Sequence, residues 1–265
     1  MKFENVSKAA NILFNHRINC IQLDDLPTDC NPLNNKEAYK IQYELKKKYL
    51  NLKNNYSFGK KVGCTNKWAQ QQINVKEPFY GNLFSKYSAS SGCKLISKNF
   101  SKPYMEPEFS FRIKEDINIS KAPFNLNQVI NLVDSVMGSV EIVDFRYDKP
   151  LKDIGINKLI ATNGASEYWI KGKKEFKLNE INLSNHPVKV FVNDKLKEKG
   201  NSSNVLNNPL NSLLWLINKL ALIGETLLKD NIVTTGTCTI AIPLEKNYKV
   251  NVNFGKIGNI DFQYI

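Results

Sequence analysis

Apolar residues recur along the chain with two spacings, and each predicts elements. Near the N-terminus Val6, Ala9, Ala10, Leu13 and Phe14 fall at helical intervals, with Glu, Asn, Ser and Lys between them. After the turn-rich DDLPTDCNPLNN, the 3.6-residue period returns at Ala38, Ile41, Leu45 and Tyr49, so the first fifty residues read as helical. YSFGKKVGCTN then reads as a strand ending in a turn, KWAQQQINV as a short helix, and EPFYGNLF as a loop leading into a strand. NLNQVINLVDSVMGSV (125–140) predicts one helix with Val129, Ile130, Val133, Val136 and Met137 on its buried face, running into VEIVDFRY. HPVKVFVNDKLKEKG suggests a strand and turn. The best-marked helix starts at Asn208, a natural N-cap, with Pro209 at its first turn. It is striped by Leu210, Leu213, Leu214, Ile217 and Ala221, and stopped by Gly224. The tail, from NIVTTGTCTIAIPL through YKVNVNFGKIGNIDFQYI, is strand, alternating Val250, Val252 and Phe254, then Ile260, Phe262 and Tyr264. Helices first, strands with inserted helices next and strands last make an α+β fold rather than a regular βαβ series. There is no internal repeat and no long linker.

The alternation in YMEPEFSFRI (104–113) departs from an ordinary amphipathic strand. Glu106, Glu108, Ser110 and Arg112 point one way, and Met105, Pro107, Phe109, Phe111 and Ile113 the other. An apolar reverse face places the strand in a core sheet, which leaves two carboxylates side by side. Solvent, a shared proton or a cation would each relieve their repulsion. Glu141 adds a third acid in a similar setting, in GSVEIVDFRY. Three carboxylates without a partnering His or Cys form an oxygen-only donor set that suits Mg²⁺ or Mn²⁺, and Zn²⁺ less well. Such an ion keeps open positions for water and for a chelating 2-oxo acid, and acts as a Lewis acid on the enol beside the keto group.

Composition narrows the classes. A 42% hydrophobic content over 265 residues supports a sizeable core. No apolar run reaches the ~18 residues needed to span a bilayer, and the amphipathic N-terminus lacks the continuous apolar stretch of a signal peptide. The expectation is a cytoplasmic, soluble protein without membrane association. Five cysteines, odd in number, widely spaced and without CxxC, argue against a disulfide framework or a thiolate zinc site. The formal charge of +12 comes from scattered lysines among many asparagines, without interleaved aromatics. That pattern excludes a nucleic-acid platform and leaves a basic surface able to draw in a small anion. His16 and His186 are too few for histidine-centred catalysis, and GKKVG (59–63) lacks the spacing of a phosphate loop.

Six stretches, in order from about residue 37 to the C-terminus, carry a family resemblance: GKKVGCTNKWAQQQINV, YGNLF, MEPEFSF, VEIVDFRY, NNPLNSLLWLINKLALIGETLLKDNIVTTG and FGKIGNIDF. Together they resemble the 2-keto-4-pentenoate hydratase / 2-oxo-3-hexenedioate decarboxylase branch of the fumarylacetoacetate hydrolase superfamily. The resemblance implies a mixed β-roll in a single domain over 1–265, with a helical N-terminal part (1–55) and the active site in 56–265. It implies a divalent metal held by the paired Glu of an ExE strand and by the Glu opening EIVDSR, which here are Glu106, Glu108 and Glu141. The KxG lysine falls on Lys61, as a catalytic residue, while Lys60 points the other way. The TG pair falls on Thr235 and Gly236, and the GS serine on Ser203, all three as substrate contacts. Three departures stand out: Phe79 occupies the place of the hydratase acid in PDFG, Asn207 replaces Gly in LGxP, and ATNGASE keeps Asn163 of ADNAS but not its Asp.

These readings predict a metal-dependent lyase of aromatic-compound catabolism acting on a small anionic 2-oxo or 2-hydroxydienoic acid. Hydration of 2-hydroxypenta-2,4-dienoate stands first and decarboxylation of 2-oxo-3-hexenedioate (4-oxalocrotonate) second. An acylpyruvate-type C–C hydrolase and a non-catalytic assembly partner are the further alternatives. The resemblance also implies a homo-oligomer and allows a complex with a pathway enzyme.

Overall fold

The computed structural model describes residues 1–265. Helices α1 (Phe3–Ile18) and α2 (Asn35–Leu50) form where the 3.6-residue period predicts them, and the Asn34 side chain caps α2 by accepting the Glu37 N–H at 3.0 Å. Their stripes, including Ala9, Leu13, Ile41 and Leu45, share a core with Phe79, Phe84, Val143 and Leu159 from later in the chain. The helical part is thereby fastened to the strands that follow.

Those strands and their inserted helices run in the order β1 (Ser57–Gly63), α3 (Lys67–Gln72), β2 (Phe79–Phe84), β3 (Ser88–Ser90), β4 (Cys93–Leu95), β5 (Pro103–Ile113), α4 (Leu126–Asn131), β6 (Val133–Asp144), α5 (Leu151–Ile154), α6 (Ile156–Ala161) and β7 (Ser166–Lys171). There follow β8 (Pro187–Val192), β9 (Lys195–Asn201), α7 (Pro209–Ala221), β10 (Ile232–Thr237), β11 (Ile242–Pro243), β12 (Tyr248–Asn253) and β13 (Asn259–Tyr264). One sheet has the order β2-β1-β10-β5-β6-β7-β3, with β11 paired to β5, and the other β4-β13-β12-β8-β9. Pairing is mixed, parallel for β1 with β10, β3 with β7 and β4 with β13, antiparallel elsewhere. The α+β expectation holds. Phe109, Phe111, Val140 and Ile142 of the first sheet meet Val190, Val252, Phe254 and Ile260 of the second in the main core, with the Phe109 and Phe254 rings edge to face at 5.5 Å.

The single helix expected over 125–140 is not formed. A capping box at Asn125 and Gln128 opens a short α4, which stops at Asn131, and the chain continues as the twelve-residue β6. Ile130, expected on the buried face, is 37% exposed. Val133, Val136, Met137 and Val140 also satisfy burial on both faces of a central strand, a pattern that helical spacing mimics. The outcome moves Glu141 into mid-strand, directly opposite Glu106 on β5.

Close backbone approach fixes the partner of that site. Gly59 on β1 pairs with Ile232 on β10, and a Cβ at Gly59 would lie 1.9 Å from the Ile232 carbonyl oxygen. Gly59→Ala is therefore expected to lower stability by about 1–3 kcal/mol, read as a fall in the urea midpoint at unchanged slope. An unchanged midpoint would show that β1 and β10 do not approach this closely.

Candidate active site

Strand alternation builds the site. On β5 the even residues Glu106, Glu108 and Ser110 share one face, and the register with β6 brings Glu141 opposite Glu106 and Ser139 opposite Glu108. The three carboxylates each offer an oxygen within 4.8 Å of the others. Glu108 and Glu141 are fully buried, and Glu106 is half-open to a cavity. From β1, two strands away, Lys61 reaches in fully buried, its Nζ 3.0 Å from Glu141 Oε2 and 5.5 Å above the Phe79 ring. Lys60 points away, as parity predicts, and binds Asn82 Oδ1 at 3.0 Å and Glu225 Oε2 at 2.9 Å.

Glu108 is held by β10. The Thr234 hydroxyl and the Gly236 N–H (3.0 Å) both donate to its Oε2. Register slips between Thr234 and Thr237, and Gly236 takes φ +105°, a conformation that favours glycine. A Cβ there would meet Thr65 Oγ1 at 1.8 Å. Of the expected substrate contacts, Gly236 is thus against the acids. Thr235 is buried on the other face, donating its hydroxyl to the Phe109 carbonyl at 2.7 Å. Ser203 donates to Asn201 Oδ1 at 2.5 Å and lines a neighbouring polar cleft with Thr65, Asn207 and Thr239. Trp68 borders both that cleft and the acids' cavity.

The residue reading missed Thr234, although strand parity marks it as the threonine on the Glu108 face. It also missed the turn at Asn163–Gly164, which shapes the wall behind Lys61. Asn163 Oδ1 accepts the Asn82 N–H at 2.8 Å, and a Cβ on Gly164 (φ +65°) would lie 2.6 Å from the Phe79 ring and 3.3 Å from Lys61 Cε.

Three carboxylates and one ammonium leave a formal charge of −2 in a largely dry site. Burial pushes the Glu106 carboxyl up to about 7, with Glu141 adding to the rise and Lys61 opposing it. Burial, then the charges of Glu141 and Glu106, push Glu108 well above the carboxylate range. Burial disfavours the Lys61 charge, yet Glu141, Glu106 and Glu108 together hold it above the ordinary lysine value. Glu108 Oε1 and Glu141 Oε1 are buried without a hydrogen-bond donor, and Glu141 Oε2 has only the Lys61 ammonium beside it. Unpartnered buried oxygens on Glu108 and Glu141, with the Glu106 carboxylate within 4.8 Å of both, fit a hard divalent cation. The cavity beside them holds about 240 Å³, below the ~300–1,000 Å³ of pockets for drug-sized ligands. A larger groove of about 710 Å³ runs between α1, α2 and the end of α7, but shares no lining residue with the acids' cavity.

No protein-family model matches the chain. It is 25% identical over 235 residues to a 4-oxalocrotonate decarboxylase of Pseudomonas sp. (strain CF600), covering 86% of this chain and 85% of that one. It is 24% identical over 202 residues to 2-keto-4-pentenoate hydratase 1 of Dechloromonas aromatica (strain RCB), covering 76% and 75%. The solved 4-oxalocrotonate decarboxylase of Pseudomonas putida G7, complexed with magnesium and adipate, superposes with a TM-score of 0.93 at 26% identity, over 100% of this chain and 99% of that chain. Solved fumarylacetoacetate hydrolase-type proteins at 12% identity share the fold alone. The resemblance read from the six stretches is borne out: the homologues are enzymes, named as hydratases and decarboxylases of this branch.

The raised carboxyls set a pH dependence for the metal-free protein. Between about 4.5 and about 7, folded Glu106 keeps a proton that the unfolded chain has lost, so stability falls as pH rises. In chelator, the urea midpoint is expected to drop across that window, and Glu106→Gln to flatten the slope. A midpoint that climbs from pH 4.5 to 7, in both proteins alike, would contradict the assigned burial.

Proposed function

We propose that this chain, a homologue of the hydratase and decarboxylase branch, is a divalent-metal-dependent lyase acting on small 2-oxo or 2-hydroxydienoic acids. The observation that carries the reading is the convergence of Glu106, Glu108 and Glu141, with Lys61 Nζ 3.0 Å from Glu141. Glu106, Glu108 and Glu141 would hold the ion, Mg²⁺ or Mn²⁺ by its donor set. When bound, it supplies Lewis acidity beside the keto oxygen of a chelated 2-oxo acid.

The chain's own residues supply the rest. Glu106, which lines the cavity, is the member of the trio that a ligand there would meet first. Lys61 stays protonated against three carboxylates, so its ammonium stabilises charge developing on the enolate oxygen and can return a proton to it. Thr234 and the Gly236 N–H orient Glu108. Of the substrate contacts that the resemblance implies, Gly236 has the nearest placement, while the Thr235 side chain lies on the opposite face of the sheet and Ser203 lines a neighbouring cleft. Phe79, Ile73, Val143 and Leu159 present an apolar wall around Lys61, and no histidine lines the cavity.

That wall favours loss of CO₂, which needs no activated water, over hydration or C–C hydrolysis. Hydration is the second reading, supported by the hydratases among the relatives. The proposal extends to a homo-oligomer, to be read by light scattering. No helix is long and apolar enough to cross a membrane.

Calorimetric titration with Mg²⁺ should show one site, weakened by at least roughly tenfold in Glu106→Gln and Glu108→Gln. Incubation with 2-oxohex-3-enedioate and with 2-hydroxypenta-2,4-dienoate, followed by dienol absorbance and CO₂ release, separates decarboxylation from hydration. Lys61→Met should cost about 10²–10⁴ in kcat. Mg²⁺ binding without turnover of either acid would leave a metal-holding assembly partner and end the lyase reading.

A further inference from the structure

A separate cavity of about 360 Å³ lies between the end of α1, β4 and β7, and shares no lining residue with the acids' cavity. Its volume is that of a small-molecule pocket. One wall is Arg17, in the last turn of α1 and only 6% exposed. Its guanidinium is clamped between two rings, with Cζ 4.0 Å from the Tyr87 centroid and 4.6 Å from that of Tyr49. Two parts of the planar fork are used: Nε donates to Glu167 Oε2 and Nη2 to the Glu167 carbonyl, each at 2.8 Å. Nη1 is buried without a hydrogen-bond partner. A cationic donor kept from water and from any acceptor is costly, and an acceptor that reaches it is bound strongly.

The surrounding charges say what that acceptor is. Glu167 is the one acid lining the cavity, and it is answered twice, by Arg17 and by Arg146 Nη2. Arg146 also pairs with the buried Asp144 at 3.2 Å. Two acids thus balance two arginines. Lys86 and Lys94 remain, both exposed, both lining the cavity and neither in an ion pair. The other walls are apolar or aromatic, among them Ile18, Leu95 and Phe100. An excess of positive charge beside apolar walls fits an anion that carries an apolar body. A carboxylate matches the geometry of a guanidinium fork. Cys20, a free thiol, lines the same cavity and reports on it from inside.

We propose that this cavity is a second ligand site, remote from the acids, for a small organic carboxylate with an apolar body, held by Arg17, Lys86 and Lys94. The site is independent of the function assigned to the Glu trio.

The test is calorimetric titration of the Mg²⁺-loaded full chain with benzoate, in saturating oxalate to occupy any metal-bound head-group site. Benzamide supplies the same body without the charge, and inorganic phosphate the charge without the body. Benzoate should bind one site per chain, roughly tenfold or more tighter than either. Lys86→Met and Lys94→Met together, both at exposed positions, should weaken it roughly fivefold or more at an unchanged urea midpoint. Arg17→Lys, which keeps the charge and loses the planar fork, should weaken it roughly tenfold or more. In the wild type, benzoate should slow iodoacetamide labelling of Cys20, read by mass spectrometry. Cys64, which lines the acids' cavity, should keep its rate. No benzoate binding, benzamide or phosphate bound as tightly, an affinity that survives the paired lysine substitutions, or protection of Cys64 in place of Cys20 overturns the inference. None of these outcomes bears on the Glu trio, whose reading is tested by Mg²⁺ itself.

Discussion

Placing three carboxylates in a nearly dry pocket with a single lysine is the constraint on which the rest of the structure depends. A buried carboxylate without a partner costs several kcal/mol, and neighbouring like charges add to that. Lys61 answers one negative charge, the Thr234 hydroxyl and Gly236 N–H satisfy one oxygen of Glu108, and Glu108 Oε1 and Glu141 Oε1 stay buried without a donor. A fold held only by its own contacts has no use for such an arrangement, and a hydrophobic set of similar volume would be at least as stable. A cation that enters the folded state resolves the repulsion and links binding to stability.

The scaffold bears that strain by rigidity. The acids sit on the two long central strands of the larger sheet, and their reverse faces are fully buried in the main core. Preorganisation on strands keeps the carboxylates close even where they repel. Loops then come near enough to touch them only where side chains are absent. Gly236 lets the β10 bulge present an N–H to Glu108, Gly81 admits the Asn163 carbonyl, and Gly164 lets a turn press on Phe79 and Lys61. A neighbouring network of Arg17, Glu167, Arg146 and Asp144 ties the first helix to the end of β6 and the entry to β5. It connects the helical part to the strand that carries two of the acids.

Strand parity and local chemistry decided much by themselves. Glu106 and Glu108 had to share a face once 104–113 alternated, and Lys60 and Lys61 had to diverge. Asn208 and Pro209 had to open a helix, because their backbone preferences are local. Tertiary structure decided what local preference leaves degenerate. The run from Val129 to Val140 satisfies a helix stripe and a doubly buried strand equally well, and only pairing with β5 and β7 selects the strand. The Gly236 N–H reaches Glu108 because of a register slip beyond Thr234, which depends on how β10 is bent across β5. Ser203 faces a different cleft, and Arg17 shares another with Lys94, because segments distant in sequence close around them. Alternation and capping act within a few residues and are written in the chain. Convergence of side chains a hundred residues apart depends on packing and register, and only the folded molecule sets those.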